Sequence, residues 1–194
     1  FHIAMEDYLK NYIGQNVTQL IPRIITQKAY KLGYLERNNK RWSEKQRLLL
    51  EQRRDKFRAC AKFLCETLPR DAVVIDVEKE LSYQMKNIKY YGIADLILKY
   101  PDGHFEIVDY KTGLFMPTKE QLEIYSIPLL QDQTISRISY RIICVDRECH
   151  YLWETDRSGL INAANRIADI VNHIIGDTIF CRDNNSKCTT CGVR

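Results

Sequence analysis

Two aspartates and a lysine lie near one another in the stretch GIADLILKYPDGHFEIVDYKTG, in an order that could support metal-assisted hydrolysis. Asp95 sits in one run of strand-forming residues, Asp109 and Lys111 sit in the next, and Pro101-Asp102-Gly103 separates them. The turn decides the chemistry. If Asp102-Gly103 forms a two-residue loop, Asp95 faces Tyr110 and the two carboxylates leave opposite faces of the sheet. If the loop has three residues, with Gly103 left-handed, Asp95 lies opposite Asp109 with Cβ atoms roughly 4.5–5.5 Å apart. The three-residue loop is the expected one. Lys111 then shares the face of Asp109, because side chains alternate along a strand.

Two carboxylates at that distance repel, and each raises the other's pKa unless a cation lies between them. A hard divalent ion such as Mg²⁺ or Mn²⁺ suits carboxylate, carbonyl and water oxygens. The lysine could then orient or deprotonate a water, or steady charge developing on a phosphate. The plainer alternative is a surface hairpin with ordinary ion pairs. Against it, Gly92-Ile93-Ala94 and Ile107-Val108 are apolar, so both aspartates interrupt strands that read as buried or half-buried, where an unpartnered acid is costly.

The elements that must position these residues follow from periodicity. Helices are predicted over 2–12, 19–32, 43–68, 117–131 and 157–175, with Ser43 as an N-cap and Pro22 and Pro117 in first turns. Strands are predicted over 72–84, 88–100, 104–111, 136–145 and 149–155. This order gives an α/β domain with a mixed sheet flanked by helices. No internal repeat or low-complexity linker interrupts it. A single domain over 1–194 is expected, with 177–194 a cysteine-containing tail.

The chain of 194 residues is 45% hydrophobic and 28% charged, ordinary for a globular protein able to bury a core without disulfides. No apolar run reaches the ~20 residues of a membrane span, and no signal-peptide pattern opens the chain. The chain starts on Phe1-His2 without methionine, so the natural N-terminus is expected upstream. A net charge of +4 is compatible with a nucleic-acid partner without requiring one. The basic stretch 36–58, interleaved with acids, reads as a solvated helix face. Seven cysteines point to an intracellular protein, cytoplasmic or nucleoid-associated.

GIADLIL, then EIVDYKTG, then QLEIY together resemble the RecB-like branch of the PD-(D/E)xK nuclease superfamily, and His2 with Glu6 resembles its N-terminal histidine motif. The likeness runs in order across nearly the whole chain. It implies a restriction-endonuclease-like three-layer α/β/α domain with a central mixed sheet. It also implies a Mg-dependent deoxyribonuclease, exonuclease in mode, hydrolysing phosphodiester bonds with a metal-activated water. Asp95, Asp109, the Tyr110 carbonyl and His2 would hold the metal, and Lys111 would be the catalytic lysine. Gln121 and Tyr125, one turn apart on a helix, would border the site and touch the lysine or the DNA. Glu78, more than Glu80, sits where relatives often carry a glutamate. The implied substrate is DNA, single-stranded or at duplex ends, and the implied setting is DNA repair beside a helicase or other recombination protein. A non-cleaving nucleic-acid-binding subunit on the same fold is the alternative.

The ending FCRDNNSKCTTCGVR is similar to the tails of AddB-type and CRISPR-associated iron–sulphur exonucleases. The likeness implies a [4Fe-4S] cluster in the full-length protein, with Cys188, Cys191 and Cys181 as its ligands within this chain. Relatives supply one more cysteine upstream of the histidine motif, so no intact four-cysteine cluster is expected in the present chain. Cys60, Cys65, Cys144 and Cys149 read as small buried side chains.

Overall fold

In the computed structural model, residues 2–35, 43–85, 87–111 and 118–176 are described. Three helices come first: α1 (His2–Leu9), α2 (Pro22–Leu35) and α3 (Glu44–Thr67). Pro22 opens α2, where its fixed φ suits the first turn and its missing N–H loses nothing. Helix α3 ends two residues before Pro69, which cannot continue it. Then follow β1 (Val73–Met85), β2 (Ile88–Lys99), β3 (Phe105–Lys111), α4 (Lys119–Ser126), β4 (Arg137–Cys144), β5 (Cys149–Asp156) and α5 (Arg157–Gly176).

The five strands lie side by side in chain order. Neighbours are antiparallel except β3 and β4, which run parallel. A parallel neighbour requires a crossover, and α4 supplies it. On one face α1, α2 and α3 cover a core that includes Met5, Leu9, Ile25, Leu64, Leu96, Val108 and Ile143. On the other, α4 and α5 cover a core that includes Ile107, Leu122, Ile127, Tyr140, Ile142 and Leu160. The architecture is α/β with a mixed sheet, as the element order predicts.

Two helices stop short of their expected ends for local reasons. The helix expected over 117–131 is α-helical only to Ser126 and continues as a 3₁₀ turn, Ile127–Gln131. Pro128 has no N–H to give the preceding turn, so the tighter winding takes over. Likewise α1 ends at Leu9 and runs into a 3₁₀ turn at Lys10–Tyr12.

The central strands bury a polar network centred on Glu106, three residues before Asp109 on β3. Glu106 is 1% exposed, and Arg141 on β4 meets both its carboxylate oxygens, at 2.5 and 3.1 Å. Tyr100 and Ser139 both donate to Glu106 Oε2, at 2.6 and 3.0 Å, while His104 pairs with Ser139 at 2.8 Å. A charge this deep survives because its lone pairs are satisfied. It ties β3 to β4 at the base of the site.

Candidate active site

The hairpin between β2 and β3 adopts the three-residue loop. Gly103 takes φ +83°, its N–H donates to the Tyr100 carbonyl at 3.0 Å, and Tyr100 N–H donates to the His104 carbonyl at 2.9 Å. The Asp102 side chain accepts from His104 N–H at 3.0 Å, fixing the tip. From there the ladder runs Lys99–Phe105, Leu98–Glu106, Ile97–Ile107 and Leu96–Val108. Continued by one pair, that register sets Asp95 opposite Asp109. The backbone ladder itself ends at Leu96–Val108. The next inward N–H, that of Tyr110, donates instead to Asp95 Oδ2 at 2.9 Å.

A distortion on the other side of β2 explains why the ladder gives way. The β1–β2 register pairs Val77 with Leu96 and Lys79 with Ala94, passing over Glu78 and Asp95 between them. Glu78 has φ +52°, a left-handed conformation that costs a non-glycine residue about 1–3 kcal/mol. Val77 and Leu96 belong to the core under α1–α3, whereas Leu81 and Ala94 belong to the core under α4 and α5. Simple alternation would keep Val77 and Leu81 on one face. Both strands therefore roll over at the Glu78–Asp95 position. Beyond it, toward Ile88, β2 alternates buried and exposed residues; before β3 it is buried at Leu96, Ile97 and Leu98.

Asp109 is 3% exposed. Its Oδ1 accepts from Lys111 Nζ at 2.8 Å, while its buried Oδ2 has no hydrogen-bond partner among the described residues. Burial, and then the Asp109 carboxylate, push Asp95 up to about 7, with the Tyr110 N–H pulling the other way. Glu78 is raised as well, by burial first and then by Glu6, with Lys10 opposing. Lys10 in turn pairs with Glu6 at 2.6 Å. The centre is thus an electrostatic cluster of Asp95, Asp109, Lys111, Glu78 and Glu6. In the sequence Glu6 stands only as a mark of the histidine motif. Its place one helical turn from His2 was the available signal, and its reach toward Glu78 needed the fold.

Gln121 and Tyr125 do share one face of α4, and Gln121 Nε2 donates to the Tyr125 hydroxyl at 2.8 Å. The Tyr125 ring lies directly on Gly92, where any Cβ would overlap it. That contact accounts for the glycine three residues before Asp95: only a bare backbone lets α4 come this close. It sets the helix against the strand that carries Asp95. His2 opens α1, but its side chain lies outside the described residues, as do Pro117, Cys181, Cys188 and Cys191.

The donor set suits a hard cation. Two carboxylates crowd together, one holds a buried oxygen with nothing to accept from, and the other is forced toward its neutral form. A divalent ion relieves all three conditions. Among the described residues no three or more His, Cys, Asp or Glu side chains are arranged to hold a metal by themselves. Mg²⁺ does not require such a cage, since it keeps several waters and is held by one or two carboxylates.

Residues 1–194 match the model of the PD-(D/E)XK nuclease superfamily. No curated protein matches the chain. Among solved structures, one named "Crystal structure of SSO0001" aligns over 87% of this chain and 82% of that chain, with 16% identity and a TM-score of 0.31.

Proposed function

Since the chain belongs to the PD-(D/E)XK nuclease superfamily, whose members typically cut phosphodiester bonds with divalent metals, we propose that it is a DNA nuclease of the RecB-like branch, acting as an exonuclease on strand ends. Its five-stranded mixed sheet with helices on both faces agrees with the restriction-endonuclease-like fold of that superfamily. The observation that carries the proposal is buried Asp109 Oδ2, without a hydrogen-bond partner among the described residues, beside Lys111 and the raised Asp95.

In this reading Asp95, Asp109 and the Tyr110 carbonyl would hold Mg²⁺ or Mn²⁺, with His2 as a further ligand. When bound, such an ion shields the scissile phosphate and makes a water more acidic. The remaining steps belong to the chain. Lys111, anchored on Asp109 Oδ1, directs its ammonium into the site and steadies charge on the attacking water or the phosphate. The Tyr110 N–H fixes one Asp95 oxygen, which leaves the other to face the cation. Glu78, at the distorted position of β1 beside Asp95, borders the site from the β1 side. Gln121 and Tyr125 hold α4 at the edge of β2, where the DNA strand would enter. A helicase or other recombination protein as partner follows from the RecB-like reading alone. A [4Fe-4S] cluster has only the spacing of Cys181, Cys188 and Cys191 behind it and enters no step.

Incubation with end-labelled single- and double-stranded linear DNA and with closed circles tests the proposal. Linear substrates should shorten from their ends with Mg²⁺ or Mn²⁺, and EDTA should stop it. Cutting of closed circles would replace the exonuclease reading with an endonuclease one. Inert linear DNA under both metals would end the nuclease reading.

A further inference from the structure

A second pair of reactive side chains sits on the β4–β5 hairpin. Cys144 ends β4, Cys149 begins β5, and they are direct partners in the antiparallel ladder. A turn in which Arg147 N–H donates to the Cys144 carbonyl at 3.1 Å closes the hairpin. Opposed antiparallel residues have Cα atoms about 4.5 or about 5.5 Å apart, depending on the kind of pair. Both spacings fall within the span of roughly 4.4–6.8 Å that a disulfide bridges. The two side chains leave the same face, as directly opposed residues of an antiparallel ladder do.

Both cysteines are free. Cys144 is buried and Cys149 is partly exposed, so an oxidant can reach only one of them directly. Burial, and then the neighbouring Cys149, hold the Cys144 thiol up. Cys60 and Cys65 offer a contrast. They stand five residues apart on α3, on different sides of the helix, and burial pushes them up to about 11 and about 12.

We propose that Cys144 and Cys149 form an oxidisable dithiol that closes to a disulfide when it meets a disulfide oxidant such as oxidised glutathione. The Cys149 thiolate attacks one sulfur of the oxidant, whose S–S bond breaks, and one glutathione departs as a thiolate that takes up a proton. Cys144 then loses its proton to solvent and attacks Cys149 Sγ, and the second glutathione leaves. Two protein thiols are oxidised and one glutathione disulfide is reduced to two thiols. The bond would form one strand away from Lys111: Cys144 is the parallel-ladder partner of Lys111, and Val145 N–H donates to the Lys111 carbonyl at 3.1 Å.

The test is peptide mapping of the full chain after treatment with oxidised glutathione and alkylation of remaining thiols. Trypsin cuts after Arg141, Arg147 and Arg157, placing the cysteines in peptides 142–147 and 148–157. Those two peptides should emerge joined by a disulfide that dithiothreitol reverses. The Cys144→Ser variant should stop at a glutathione adduct on Cys149, and Cys149→Ser should leave Cys144 unmodified. Alkylation of both cysteines after oxidation, or bridges from either to Cys60, Cys65 or the terminal cysteines, would overturn the proposal. The map reads the bond itself, so it succeeds or fails independently of the cleavage assay.

Discussion

Asp109 and Asp95 each lack something that a cation would supply. For Asp109 it is a partner for Oδ2, which has none among the described residues; for Asp95 it is relief from burial and from the Asp109 charge. Lys111 meets one oxygen of this pair, and in the proposed function it is one positive charge among many for DNA binding but the one placed for the reaction. Lys111→Ala should therefore lower cleavage by about 100-fold or more, the scale seen when one transition-state donor is removed, with DNA affinity little changed. Cleavage near the original rate would sink the assigned role. Asp95→Asn should abolish cleavage and yet raise the melting temperature of metal-free protein at neutral pH, because it deletes a buried charge that the fold disfavours. A lower melting temperature in EDTA would show that Asp95 is structurally satisfied without metal.

At the scale of elements, the site depends on two unrelated contacts that hold strands and helices in place. The first is Tyr125 on Gly92. Gly92→Ala should cost about 1–3 kcal/mol by overpacking, read as a lowered denaturation midpoint, and part of that cost should return when Tyr125→Ala is added. An equally stable Gly92→Ala protein would mean that α4 can shift freely. The second is Glu106 with Arg141, which joins β3 to β4. Arg141→Leu should cost about 3–5 kcal/mol, because it strands a buried carboxylate, whereas the double variant Glu106→Leu/Arg141→Leu should recover much of the loss. If the double variant is no more stable than the single one, the network does more than satisfy its own charges.

For the whole molecule, the carboxylate cluster links stability to pH and metal. Asp95 is raised from 3.8 to about 7 in the folded protein. Between those values the folded state holds a proton that the unfolded chain has released, so metal-free stability falls as pH rises through that window. The effect is complete above it. Mg²⁺ should therefore raise the melting temperature more at pH 8 than at pH 5, where protons already neutralise the site and compete with the ion. Equal metal-induced shifts at both pH values would separate the binding site from Asp95.

Much of this was legible in the sequence because it depends on neighbours along the chain. Alternation gave the strands, the 3.6-residue period gave the helices, and Pro-Asp-Gly gave a loop with one left-handed glycine. Loop length then set the β2–β3 register. QLEIY placed Gln121 and Tyr125 on one face for the same local reason. Tertiary structure decided what depends on residues distant in sequence. Glu78 in a left-handed conformation, with both strands rolling over beside Asp95, is a compromise between two cores on opposite faces, and alternation alone does not contain it. The pairing of Glu106 with Arg141, the seat of Tyr125 on Gly92, and the missing partner for Asp109 Oδ2 likewise arise only when strands and helices meet, since burial and desolvation are properties of the assembled fold.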